Sequence, residues 1–85
     1  MNKVNDIKEY AGVYEVHRVG DDRLYFEHIR LGEEKAICIE LDDNGDIYDY
    51  DMCCTIPNPV GQWLLANGYN VEYRRDKHGA YWDYV

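Results

Sequence analysis

Asn44-Gly45 lies between two stretches that alternate apolar and polar residues, and nothing else in the chain limits its fold so tightly. Asn-Gly is the preferred pair for a two-residue hairpin turn, because both central residues need φ > 0. A turn there predicts pairing of Asp43 with Asp46, Leu41 with Tyr48, Ile39 with Tyr50 and Ile37 with Met52. Those apolar pairs form the core face of the hairpin. The opposite face pairs Asp42 with Ile47, Glu40 with Asp49 and Cys38 with Asp51. Like charges opposite each other cost stability, so Glu40 against Asp49 is not an arrangement that folding alone would favour.

The segment also matches part of the spacing of a calcium loop, with Glu40, Asp42, Asn44, Gly45, Ile47 and Asp51 at positions 1, 3, 5, 6, 8 and 12. It departs from that pattern in opening on Glu, closing on Asp and being flanked by strand-like sequence instead of helices. The hairpin is the better account.

Residues 2–9 carry the pattern of a short helical turn with Val4 and Ile7 inward, the alternative being an extended arm, and Ala11-Gly12 breaks either. Val13–Val19 and Leu24–Leu31 are rich in β-branched and aromatic residues, with turn residues Gly20–Arg23 between them and Gly32–Glu34 after them. Together with the central hairpin they predict a four-stranded antiparallel meander. If Val19 faces Leu24, and Ile29, Glu27 and Tyr25 face Ile37, Ile39 and Leu41, the core face gains Tyr14, Val16, Tyr25, Ile29 and Leu31. The other face then holds two rows: His17, Phe26, Glu40 and Asp49, and Glu15, His28, Cys38 and Asp51. A slip of one residue would reverse every such assignment.

After the meander, Thr55–Pro59 stops one element and starts another. Asn58 suits an N-cap, Pro59 the first helical position and Gly68 the residue past the end. Val60, Trp63, Leu64 and Asn67 share one stripe of this short amphipathic helix, which has only the apolar face of the sheet to cover. Asn70–Arg74 and Ala80–Val85 predict a last hairpin turning at Asp76–Gly79. The expected fold is a single α+β domain over residues 1–85, in the order β-β-β-β-α-β-β.

The net charge of −8 argues against direct contact with nucleic acid or an anionic membrane, both of which need a basic footprint. No signal-like apolar run follows Met1, no stretch is long enough to span a bilayer, and Cys38, Cys53 and Cys54 are odd in number without C-x-x-C spacing. A cytoplasmic setting with thiols packed as small apolar groups is expected. Glu15, His28, Cys38 and Asp51 are ligand-type residues, but four adjacent strands spread such a row along a line, so no metal or other cofactor is expected. Acidic surroundings around Cys38 and Cys53 disfavour a thiolate, so no catalytic residue is expected either.

Two surfaces remain. Glu40, Asp42, Asp43, Asp46, Asp49 and Asp51 form a carboxylate face suited to a basic protein partner. Tyr81, Trp82 and Tyr84 of the last hairpin form an aromatic one. The reading that follows is a non-enzymatic binding module. Its sharpest form is an inhibitor of the phage or mobile-element type that occupies the basic groove of a nucleic-acid-binding enzyme. The alternatives are a homodimeric structural or regulatory protein joined through the aromatic hairpin, and a small metal-dependent or thiol enzyme.

Overall fold

The computed structural model describes residues 8–51 and 56–85, with the Asp51 side chain outside the described set. Met52, Cys53, Cys54 and Thr55 lie outside it too, as do Val4 and Ile7 of the expected helical turn. Lys8 precedes a short strand, β1 (Glu9–Ala11), which adds a fifth strand to the expected four. It is followed by β2 (Tyr14–Val19), β3 (Arg23–His28), β4 (Gly32–Leu41) and β5 (Ile47–Asp51), each antiparallel to the one before. Helix α1 (Asn58–Ala66) and the separate hairpin β6 (Val71–Asp76) and β7 (Gly79–Tyr84) complete an α+β architecture.

The central hairpin keeps most of the expected register: Cys38 pairs with Asp51, Ile39 with Tyr50 and Glu40 with Asp49. The turn itself differs. Three residues, Asp43 to Gly45, form the loop, because Asp42 exchanges hydrogen bonds across it. Its N–H donates to Asp46 O at 2.8 Å and its O accepts from Gly45 N at 2.9 Å. Gly45 supplies a left-handed conformation, at φ 83°. Asp42 Oδ1 accepts from the N–H groups of Asn44 (2.9 Å) and Asp46 (3.0 Å), an Asx turn that holds the loop. The extra loop residue shifts the ladder between Glu40 and Leu41, so Ile47, not Tyr48, pairs with Leu41 and is buried. Tyr48 is 53% exposed, correcting its placement in the core.

Strand β3 is the larger correction. Val19 pairs with Arg23, not Leu24, and Phe26 pairs with Ile37. Leu24 and Phe26 therefore point into the core, while Tyr25 faces outward beside Cys38. The reason lies at the end of the strand. His28 Nδ1 accepts from the N–H groups of Arg30 and Leu31, both at 3.1 Å, and closes a turn over Ile29–Leu31. Gly32, at φ 58°, restarts the chain opposite His28. Ile29 and Leu31, expected in the core, are turn residues 58% and 42% exposed. Tyr14 and Val16 are buried as expected.

Helix α1 and the β6–β7 hairpin cover the same face of the sheet. Trp63 meets Phe26 edge-on at 5.5 Å between ring centroids, placing the helix over β3, and Tyr84 meets Tyr50 edge-on at 5.9 Å, placing the hairpin over β5. Asn70 joins the two tiers: it accepts from Ile47 N–H (2.6 Å) and donates to Ile47 O and Val85 O (both 3.0 Å). Asn58 is the first helical residue and Pro57 the N-cap, because the Asn58 side chain is engaged elsewhere: its Oδ1 accepts from the indole N–H of Trp82 at 2.8 Å. The far end closes as expected, with Gly68 N–H bonded to Leu65 O (3.1 Å) and Tyr69 N–H to Leu64 O (3.0 Å). One core results, with Phe26, Ile37, Ile39, Val60 and Leu64 fully buried. Each such side chain contributes roughly 1.5–3 kcal/mol by leaving water.

Candidate binding surface

In a meander, alternate turns lie at the same end of the sheet. The β2–β3 turn and the β4–β5 turn are therefore neighbours, and Leu41 N–H donates to Asp22 O at 2.8 Å to hold them together. This brings Asp21 and Asp22, which sequence reasoning did not single out, beside the expected carboxylates. The parity of the turns was the available signal.

Asp42, Asp43 and Asp46 are exposed in the turn, Asp49 is exposed and Glu40 half-buried. Asp49 stands opposite Glu40, as expected. Asp51 stands opposite Cys38 in the ladder, its side chain outside the described residues. The like-charged pair is relieved in part by Tyr48, whose hydroxyl donates to Glu40 Oε1 at 3.3 Å, and Tyr50 N–H donates to Asp49 Oδ1 at 2.9 Å. The phenol of Tyr48 reports the local field: its pKa is raised above 10.0, first by the charge of Glu40, with Asp49 and Asp22 adding to it. Two cations lie at the strand ends: Arg18, whose guanidinium is held by Glu9 at 3.0 Å, and Arg23. Arg23 pairs across the ladder with Glu40 and lies 3.9 Å from Asp22. The end thus sets Asp21, Asp22, Glu40, Asp42, Asp43, Asp46 and Asp49 against two guanidiniums, of which Arg18 is already paired with Glu9.

The aromatic hairpin offers less. Trp82 is only 6% exposed, under α1 and bridged to Ile56, so it is a core residue and not a contact residue. Tyr84 is half-buried against Tyr50 and Tyr81 is half-buried. Tyr73, 52% exposed and 5.0 Å from the Trp82 ring, is the most open aromatic there.

The expected row of Glu15, His28, Cys38 and Asp51 does not form, because β3 lies one residue off the expected register against β2 and three off against β4. His28 is instead edge-on to Tyr14, at 5.3 Å. The true register sets Glu15 opposite Glu27. His17 Nε2 lies 3.6 Å from Glu15 Oε1 and 3.3 Å from Glu27 Oε1, and Lys8 Nζ lies 3.4 Å from Glu15 Oε2. Among the described residues this is the group of His, Cys, Asp and Glu side chains close enough to share an ion. Sequence reasoning missed it because Glu15-x-His17 is half a site, and the other half depends on the length of one turn.

Compared with known proteins, the chain matches no family model, no curated protein and no solved structure. Among the described residues no helix is long and apolar enough to cross a membrane.

Proposed function

We propose that the chain is a non-enzymatic, acidic protein-binding module that docks its doubled turn end onto a basic surface of another protein. The observation that carries this reading is the joining of two Asp-rich turns by the Asp22–Leu41 hydrogen bond, which gathers carboxylates from both turns and from β4 and β5 at one end of the sheet. Fixed carboxylates of one sign raise the local potential, steer a cationic partner and make the association strongly dependent on salt. Along one strand face, side chains recur every ~6.6–6.8 Å, so the β4 and β5 carboxylates present charge at regular intervals. A basic groove built for a nucleic-acid backbone is the surface that such a pattern suits, and the proposed role is inhibition of a nucleic-acid-binding enzyme by occupying that groove. The setting proposed is cytoplasmic, with a phage or mobile element as the type of source.

The test passes host lysate over the immobilised protein, elutes with salt and challenges the captured protein with double-stranded DNA. DNA should displace it. The triple variant Asp22→Asn, Glu40→Gln, Asp49→Asn should fail to capture it while keeping the native circular dichroism. Equal capture by the variant, or indifference to DNA, refutes the reading. The second reading, a homodimer through the aromatic hairpin, rests on the 52% exposure of Tyr73. A monomer that persists across concentrations in light scattering counts against it.

A further inference from the structure

The outer face of β2 and β3 carries an arrangement that folding does not explain. Glu15 and Glu27 stand directly opposite each other, a like-charged pair that destabilises a ladder. His17, two residues along the same face, turns its Nε2 toward both carboxylates at 3.6 and 3.3 Å. That atom is almost wholly inaccessible to solvent and has no hydrogen-bond partner. One donor atom from each of the three side chains lies within 4.8 Å of the other two. Two carboxylate oxygens and an imidazole nitrogen thus converge where a positive charge would relieve the repulsion and satisfy the nitrogen.

We infer that Glu15, His17 and Glu27 form a site for a divalent transition-metal ion of the Zn²⁺ class. At metal–donor distances of about 2.1 Å, tetrahedral ligands sit about 3.4 Å apart. The two histidine–carboxylate separations bracket that value, and all three donor atoms lie within 4.8 Å of one another. One nitrogen and two carboxylate oxygens suit a borderline ion, whereas Ca²⁺ and Mg²⁺ need a larger set of oxygen ligands. Lys8 engages Glu15 through Oε2, which leaves Oε1 for the ion. Three protein ligands leave the fourth tetrahedral position open to solvent, and the ion would lock β2 to β3 through their side chains as well as their ladder. The site is independent of the acidic turn end, and its test does not draw on those carboxylates.

The test titrates ZnCl₂ into chelator-treated full-length protein near neutral pH, by calorimetry and by competition with a chromophoric zinc chelator. The imidazole ¹⁵N shifts are followed in parallel. One ion should bind per chain with micromolar affinity, and His17 Nε2 should show the coordination shift. His17→Gln, or Glu15→Gln with Glu27→Gln, should weaken binding at least tenfold without changing the circular dichroism. The variant Cys38→Ser, Cys53→Ser, Cys54→Ser should bind as the wild type does, and millimolar Ca²⁺ or Mg²⁺ should not displace the ion. Failure to bind zinc below millimolar concentration overturns the assignment. Binding that survives His17→Gln, or vanishes with the cysteines, also overturns it.

Discussion

Replacing Gly61 with alanine should destabilise the protein, although helix propensity alone predicts the reverse. Gly61 lies in the first turns of α1, fully covered by the indole of Trp82. A Cβ built on Gly61 would lie 2.6 Å from Trp82 Cδ1 and closer still to Cγ and Cδ2. Carbon atoms attract best at about 3.5–4.0 Å, so helix and ring must part by roughly 1 Å, and a gap of that size forfeits a quarter to a half of each remaining contact's attraction. Overpacking of this kind costs about 1–3 kcal/mol. The same movement strains the 2.8 Å hydrogen bond from Trp82 Nε1 to Asn58 Oδ1. A buried donor deprived of its partner costs about 1–3 kcal/mol more. Against this stands the gain of about 1 kcal/mol from exchanging glycine for alanine in a helix. The balance is a loss of about 1–5 kcal/mol with a midpoint of about 3, which at the midpoint is roughly 12–24 °C in melting temperature for a domain of this size. Urea unfolding followed by tryptophan fluorescence and circular dichroism measures it, with the exposed neighbour Gln62→Ala as a control that should stay within about 0.5 kcal/mol. If Gly61→Ala proves as stable as the wild type or more so, the close approach of helix and indole is wrong.

Asn70→Ala should cost about 2–3 kcal/mol in the same assay, since it removes the three side-chain hydrogen bonds that tie Ile47 and Val85 together. Asn70→Asp keeps the acceptor but sets a carboxylate oxygen against Ile47 O and Val85 O, so it should lose at least as much, whereas unchanged hydrogen exchange at Ile47 N–H in the alanine variant would refute the staple. The phenol of Tyr50 is held above its ordinary 10.0, first by burial and then by Asp83, Tyr84 and Asp49. The folded state therefore keeps that proton longer than the unfolded chain does. The stability concerned is intact below pH 10 and lost as pH rises through the folded-state value. Tyr50→Phe should lose less stability than wild type on moving from pH 8 to pH ~11, and parallel profiles would contradict it. Because Glu40 is the first cause of the raised Tyr48 pKa, Glu40→Gln should bring that phenol back toward its ordinary range in an ultraviolet titration. No movement would place Glu40 away from the acidic end.

Local backbone chemistry determined much of this protein by itself. The alternation around Asn44-Gly45 was enough to pair Cys38, Ile39 and Glu40 with Asp51, Tyr50 and Asp49. Pro59 near the start and Gly68 past the end delimited α1, and the turn at Lys77-His78 set the last hairpin. These signals act within a few residues, where turn geometry and helix ends depend on the residues present. Tertiary structure decided what depends on counting residues across a loop. A three-residue turn at Gly20–Asp22 and a histidine-closed turn at Ile29–Leu31 put Phe26 in the core and Tyr25 outside it. The same register brought Glu27 to Glu15 and His17. Asn58 gave up capping for Trp82, and Asn70 found Ile47, because a buried donor must find an acceptor wherever the chain has placed one. Side chains alternate along a strand with a period of two, so a shift of one residue exchanges core and surface. Only the packed molecule, where Phe26 and Ile37 bury each other and Ile29 is left in the turn, selects between them.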